Sequence, residues 1–100
     1  MDLAELKNEQ LKKACEDYGV KELYVFGSFL SDTFADKSDL DFLVEFDRSG
    51  YQGAFNQYMG FKQELEEIYQ RPVDLVKLQE FRNPVFQEEV ERSKQLVYAA

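Results

Sequence analysis

The chain has 100 residues, of which 44% are hydrophobic and 15% aromatic, and its formal net charge is −8. This length predicts one domain spanning residues 1–100, and the apolar content is sufficient for a packed core, so we do not expect disorder. The acidic balance argues against duplex DNA or RNA as a partner, because nucleic acids bind to basic faces. The sequence contains no histidine, which excludes histidine-dependent nucleophilic catalysis and most zinc sites.

The N-terminal segment predicts a helix. Apolar residues recur at helical spacing from Leu3 to Tyr18, and Gly19 is a suitable residue to end the helix. Cys15 lies on the apolar side of this helix, which favours a core residue over a nucleophile. No segment reaches the ~20 apolar residues of a membrane span, and the N-terminus lacks the basic and apolar parts of a signal peptide. We therefore expect a cytoplasmic protein that has no membrane partner.

Three apolar runs predict strands, and helical patterns separate them. The strands are expected at Lys21–Phe26, Leu40–Phe46 and Val73–Lys77. A short helix is expected to begin at Ser28, and apolar spacing predicts a longer helix from Phe55 to Ile68. The link between the first two strands is too short for a parallel crossover. We therefore expect an α+β fold in which helices pack against a small mixed or antiparallel sheet.

The C-terminal part predicts one further helix. Asn83 is a suitable N-cap, and Pro84 follows it at the first helical position. Apolar residues continue at approximately helical spacing as far as Val97. The predicted order of elements is therefore αβαβαβα.

The most informative residues lie at the ends of the first two predicted strands. Gly27 and Ser28 end the first strand, and after ten intervening residues Asp39-Leu40-Asp41 opens the second. Because residues i and i+2 of a strand share one face, Asp39 and Asp41 are expected to project together while Leu40 points to the core. Neighbouring carboxylates repel each other, and a hard cation such as Mg²⁺ relieves the repulsion. The glycine-serine turn leaves room for phosphate oxygens to approach the backbone.

Asp74 is the third candidate, because it interrupts an otherwise apolar strand. A solvated position on the outer face would explain it, and so would a third metal ligand or a general base for an attacking hydroxyl. An EF-hand is excluded, since Leu43, Val44 and Gly50 stand where that motif needs an oxygen ligand, a glycine and a glutamate. A metal site beside a phosphate-binding turn favours phosphoryl-transfer chemistry.

These motifs together resemble the signature of the nucleotidyltransferase superfamily typified by DNA polymerase beta. The small size resembles its minimal nucleotidyltransferase (MNT) branch, the antitoxin half of HEPN/MNT toxin–antitoxin modules, and Lys94–Tyr98 is similar to the usual ending of that family. The resemblance implies that Asp39, Asp41 and Asp74 are the catalytic and metal-binding residues. It also implies two Mg²⁺ ions, for which Mn²⁺ can substitute, and assigns phosphate binding to Gly27 and Ser28.

The activity implied by the resemblance is transfer of a nucleoside monophosphate from an NTP, in the first place AMP from ATP, to a hydroxyl of a HEPN-type toxin. A hetero-oligomer with the toxin or a homo-oligomer is then expected. The alternative is a binding module that neutralises the toxin by occlusion alone. A polymerase acting on nucleic acid is disfavoured, since 100 residues leave no room for the additional subdomains.

The chain departs from the family pattern at Ser31. Many members have an arginine there, and the loss of its charge would weaken binding of a triphosphate. Lys37, Lys77 or Arg82 would then have to supply the missing positive charge.

Overall fold

The computed structural model describes residues 3–27, 39–47, 53–77, 88 and 92–100. Its elements are α1 (Leu3–Leu6), α2 (Glu9–Asp17), β1 (Val20–Phe26), β2 (Leu40–Phe46), α3 (Ala54–Tyr69), β3 (Val73–Lys77) and β4 (Gln95–Ala99). The strands form one sheet in the order β3-β2-β1-β4. β1 is antiparallel to β2 and β4, whereas β2 and β3 are parallel. The predicted mixed sheet is therefore confirmed, and α3 provides the crossover that a parallel pair requires.

The two faces of the sheet have different surroundings. Leu40, Phe42 and Val44 alternate along β2, are fully buried and belong to the main core, to which α1, α2 and α3 also contribute. We call this side the helix face. The opposite side, which we call the second face, carries a smaller cluster of Phe26 and Leu43. None of the helices within the described residues is both long and apolar enough to cross a membrane.

The predicted helix from Leu3 to Tyr18 is wrong as one continuous element. Asn8 separates α1 from α2 and has extended backbone angles, with φ −97° and ψ 172°. Its side chain accepts a hydrogen bond from the Leu11 N–H at 2.8 Å and donates one to the Glu5 carbonyl at 3.2 Å. Asparagine competes for backbone groups in this way and is a preferred N-cap, so it begins a new helix. The apolar spacing continues across the break because both helices contribute to the same core.

Two polar contacts hold α3 against the N-terminal helices. Gln57 is only 4% exposed, and its Nε2 donates to the Tyr18 carbonyl at 2.7 Å. The buried Tyr69 hydroxyl donates to the Leu6 carbonyl at 2.6 Å, and burial raises its pKa above the ordinary value. Because buried polar groups are costly without a partner, these contacts specify how α3 lies against the N-terminal segment.

The bounds predicted for α3 are confirmed within one residue at each end, but one of its side chains is not where the spacing placed it. Phe61 and Leu65 are fully buried, as expected, whereas Phe55 is 73% exposed. Phe55 lies in the first turn of the helix. Burial of the first turn depends on whether other segments of the chain pack beside it. Helical spacing within α3 does not contain that information.

The predicted C-terminal helix is wrong at its end. Arg92 and Ser93 have helical backbone, but the residues from Gln95 onward form β4 and pair with β1. Val97 joins the main core from this strand. Valine and tyrosine favour strands, and the free edge of β1 supplies a hydrogen-bonding partner. Pairing with a distant strand therefore overrides the helical spacing.

The reactivity of Cys15 tests whether its side chain is buried in the core. The side chain is fully buried, and burial raises the pKa of its thiol from 9.0 to about 12. Because the thiolate is the reactive form, we expect a thiol reagent at about pH 8 to label unfolded protein but not native protein. The raised pKa stabilises the folded state below pH 9.0, and this contribution is lost as the pH rises towards about 12. Rapid labelling of native protein would contradict this assignment.

Candidate active site

The sequence-predicted aspartates lie at one end of the sheet. Phe26 at the end of β1 pairs with Asp41, and Asp41 pairs in parallel register with Asp74. Residues paired across strands project to the same face, so both aspartates lie on the second face with Phe26. Their backbones are one strand spacing apart, which is about 4.8 Å. Two motifs that are distant in the sequence therefore place carboxylates side by side.

Asp39 lies at the same end, immediately before β2, and is exposed. The next residue, Leu40, donates its N–H to the Pro72 carbonyl at 3.1 Å, which joins the start of β2 to the segment before β3. Within the described ranges, no three acidic or cysteine side chains are close enough together to hold a metal ion. The backbone thus brings Asp41 and Asp74 together, but the three aspartates do not form a preformed three-ligand cluster.

Gly27 leaves space for the carboxylate of Asp41. It follows β1 directly and has a φ of 69°, a conformation that favours glycine. A Cβ at this position would lie 2.4 Å from Oδ2 of Asp41, so a side chain would displace the carboxylate. Hard oxygen donors on adjacent strands, beside a residue without a side chain, are suitable for Mg²⁺ and for phosphates that approach it. The residues present therefore fit such an ion.

Comparison with known proteins agrees with this arrangement. Residues 9–100 match the family described as polymerase beta nucleotidyltransferase. The chain belongs to this family. A candidate protein adenylyltransferase from Methanocaldococcus jannaschii is 30% identical over 97 residues, which cover 97% of this chain and 94% of that protein. The family resemblance drawn from the glycine-serine and aspartate motifs is thereby confirmed.

Solved structures share the nucleotidyltransferase fold. A candidate minimal nucleotidyltransferase is 28% identical, with a TM-score of 0.73 and 95% of both chains covered. A chain from the complex of a tri-AMPylated Shewanella oneidensis HEPN toxin with an MNT antitoxin is 19% identical, with a TM-score of 0.66, and the match covers 99% of this chain and 74% of that one. A toxin–antitoxin structure with AMP-PNP is 22% identical, with a TM-score of 0.68, and the match covers 91% of this chain and 72% of that one. The predicted α+β nucleotidyltransferase fold is confirmed.

Several residues of the predicted nucleotidyltransferase site lie outside the described ranges, namely Ser28, Ser31, Lys37 and Arg82. Lys77 is described, and its Nζ lies over the ring of Tyr58, 5.2 Å from the centroid. Tyr58 belongs to α3, and its hydroxyl donates to the Leu75 carbonyl. Lys77 therefore projects from the helix face, on the side of the sheet away from Asp74. The prediction that it could neutralise phosphate charge beside the aspartates is wrong.

Lys94 is not among the residues that the sequence motifs predict for the site of this nucleotidyltransferase. Lys94 immediately precedes β4, whose first residue pairs with Val25, so it lies at the same end of the sheet as Gly27. Its Nζ is 4.2 Å from the centroid of the Tyr24 ring. The signal for this placement is the short strand pattern that follows Lys94, which the helical interpretation of the C-terminal segment concealed.

Proposed function

We propose that this nucleotidyltransferase transfers AMP from ATP to a hydroxyl of a HEPN-type toxin and thereby acts as its antitoxin. The observation that carries the proposal is the pairing of Asp41 with Asp74 beside Gly27, in a chain of this family. The choice of donor and acceptor is supported by the relatives, which include a candidate protein adenylyltransferase and a complex that contains an AMPylated toxin.

In the proposed reaction, the acceptor oxygen forms a bond to the α-phosphorus of ATP. The bond from that phosphorus to the oxygen bridging to the β-phosphate breaks, and pyrophosphate leaves. We assign Asp74 to accept the proton of the hydroxyl, because it is exposed on β3 and a partner protein can reach it. Asp41 is half-buried against Gly27 and is therefore suited to a fixed, orienting role.

Asp39, Asp41 and Asp74 would hold the Mg²⁺ ions, or Mn²⁺ in their place. When bound, the ions supply positive charge to the phosphates and lower the pKa of the acceptor hydroxyl. Because Asp41 and Asp74 are already in register, rotation of the exposed Asp74 side chain would bring its oxygens towards the fixed carboxylate of Asp41. Asp39 precedes the regular strand, so its side chain has more freedom to adjust.

The test uses the chain together with a HEPN-type toxin encoded beside it. With ATP labelled at the α-phosphate, the toxin is expected to acquire label and the mass of AMP. With ATP labelled at the γ-phosphate it should acquire none, because pyrophosphate leaves; this control separates nucleotidyl transfer from phosphorylation. Tight binding of the toxin without label from any of the four NTPs would overturn the enzymatic proposal and establish neutralisation by occlusion.

A further inference from the structure

We infer that Lys94 binds the triphosphate of ATP in this site, which makes it a substrate-positioning residue; the inference rests on the proposed function. The basis for this role of Lys94 is its position in the sheet and not a sequence motif. Three observations carry the assignment: its position in the row of paired residues, the face on which its ammonium lies, and the charge that the site requires.

The first observation is the position. Asp74, Asp41 and Phe26 are successive partners across β3, β2 and β1. β4 continues this row, because its first residue pairs with Val25, which places Lys94 level with Phe26. The backbone of Lys94 is then two strand spacings from that of Asp41, or about 10 Å. Lys94 and the two aspartates therefore lie at the same end of the sheet, on either side of Phe26.

The second observation is the face. The Lys94 ammonium lies over the ring of Tyr24, which packs with Phe26 and Leu43 on the second face, where Asp41 also projects. The Tyr24 hydroxyl donates to Oε2 of Glu22 at 2.6 Å, which holds the ring in place. A cation–π contact at an accessible site is weak, about 0.5–1 kcal/mol, so this contact does not prevent the flexible lysine from binding a phosphate.

The third observation is the charge. A triphosphate carries about four negative charges and the aspartates add three, so two divalent ions leave a deficit of roughly three positive charges. The family arginine is replaced by Ser31. A cation on the second face is therefore needed close to the aspartates, and the position of Lys94 meets that need.

Other basic residues in the described part of the chain are placed differently. Lys77 contacts Tyr58 on the helix face, and Lys21 is 3.8 Å from Glu45 near the other end of β1. Arg71 precedes β3 but lines a surface cavity together with residues of α3. Of these four basic residues, Lys94 is thus the one on the second face at the Gly27 end of the sheet.

The structural alternative is that Lys94 only stabilises the β1–β4 edge through Tyr24. Lys94→Gln removes the charge, Lys94→Arg restores it, and Lys77→Gln is the matched control, since it also removes a lysine from a tyrosine ring, but on the helix face. If Lys94→Gln is unfolded, Lys94→Met is used in its place, because methionine keeps an aliphatic stem over the Tyr24 ring. Calorimetric affinities for ATP and AMP are measured with Mg²⁺, together with melting temperature, KM and kcat.

For Lys94→Gln we expect about tenfold weaker ATP affinity and an equal rise in KM for ATP, with AMP affinity and kcat changed much less. Lys94→Arg should recover most of the loss, and Lys77→Gln should bind ATP as the wild type does. A lower melting temperature with an unchanged ratio of ATP to AMP affinity would overturn the assignment and leave the structural role. An equal loss of ATP affinity in Lys77→Gln would overturn it as well.

The same measurements separate this inference from the proposed function. If the wild type binds ATP in a manner that depends on Lys94 but transfers no AMP, the function is wrong and the assignment of Lys94 stands. If Lys94→Gln transfers AMP with the wild-type KM, the function stands and the assignment is wrong. If the wild type does not bind ATP, both are wrong.

Discussion

Asp41→Asn is expected to slow AMP transfer at least about a hundredfold while the protein remains folded. Loss of a residue that only supports a metal ligand typically costs 10–100-fold, so the loss of a direct ligand should reach the upper end of that range or exceed it. Asparagine has nearly the same size as aspartate but no negative charge. Asp41 pairs with Phe26 on one side and with Asp74 on the other, so its position in the sheet is fixed from both sides.

Metal binding provides the second measurement for Asp41→Asn. At a Mn²⁺ concentration of about 100 times its dissociation constant, binding to the native state adds about 2.7 kcal/mol to stability. In a domain of this size that is a rise in melting temperature of roughly 10–20 °C. We expect the wild type to show this rise and Asp41→Asn to lose most of it.

Glu45→Gln is the matched control for Asp41→Asn. Glu45 lies four residues further along β2, on the second face by strand alternation, and its Oε1 is 3.8 Å from Nζ of Lys21. This pair is partly solvated and is worth less than about 1 kcal/mol. The control should therefore keep both transfer and the Mn²⁺-induced rise. Equal rises in the wild type and Asp41→Asn would contradict the assignment of Asp41.

Gly27→Ala is expected to reduce both stability and transfer. Alanine at a φ of 69° costs about 1–2 kcal/mol of backbone strain, which lowers the melting temperature by roughly 4–8 °C per kcal/mol. Its Cβ would also lie 2.4 Å from Oδ2 of Asp41, which is too close for either atom to stay in place. A displacement of about 1 Å at a reacting centre can cost about a hundredfold in rate. We therefore expect a loss of transfer of that order, measured below the melting temperature.

Gly53→Ala separates the two effects of Gly27→Ala. Gly53 also has a positive φ, of 86°, but the nearest atom to its added Cβ is Nδ2 of Asn56 at 3.7 Å, an ordinary contact. This variant should lose a similar amount of stability and keep a transfer rate close to that of the wild type. Equal losses of transfer in the two variants would show that Gly27 acts through stability alone and not through Asp41.

Local sequence patterns were sufficient for most of the elements near the site. β2 and β3 have the predicted bounds, and β1 differs by one residue at its start. These runs are short, apolar and followed or preceded by polar or turn-forming residues, so the signal lies within the segment itself. The antiparallel pairing of β1 with β2 was also predictable, because a short link cannot connect parallel neighbours.

Helical spacing failed at two places, once because a local cap interrupted the helix and once because a distant strand paired with the segment. Apolar spacing ran through Asn8 because α1 and α2 contribute to one core, although the asparagine side chain caps a new helix. Spacing also extended the last helix to Val97, whereas the edge of β1 recruits that segment as β4. Helical spacing indicates which side chains lie on the same face of a helix. It does not indicate whether the edge of a strand elsewhere in the chain is available for backbone hydrogen bonds.

The sequence by itself determined the family, the fold class and the residue types of the site, because Gly27, Asp39, Asp41 and Asp74 each carry a recognisable local signal. Only the tertiary structure decided which of them are neighbours. The parallel register of β2 and β3 places Asp41 beside Asp74, and the pairing of β4 with β1 brings Lys94 to the same end of the sheet. Register depends on hydrogen bonds and core packing between segments far apart in the chain, so it is a property of the assembled sheet.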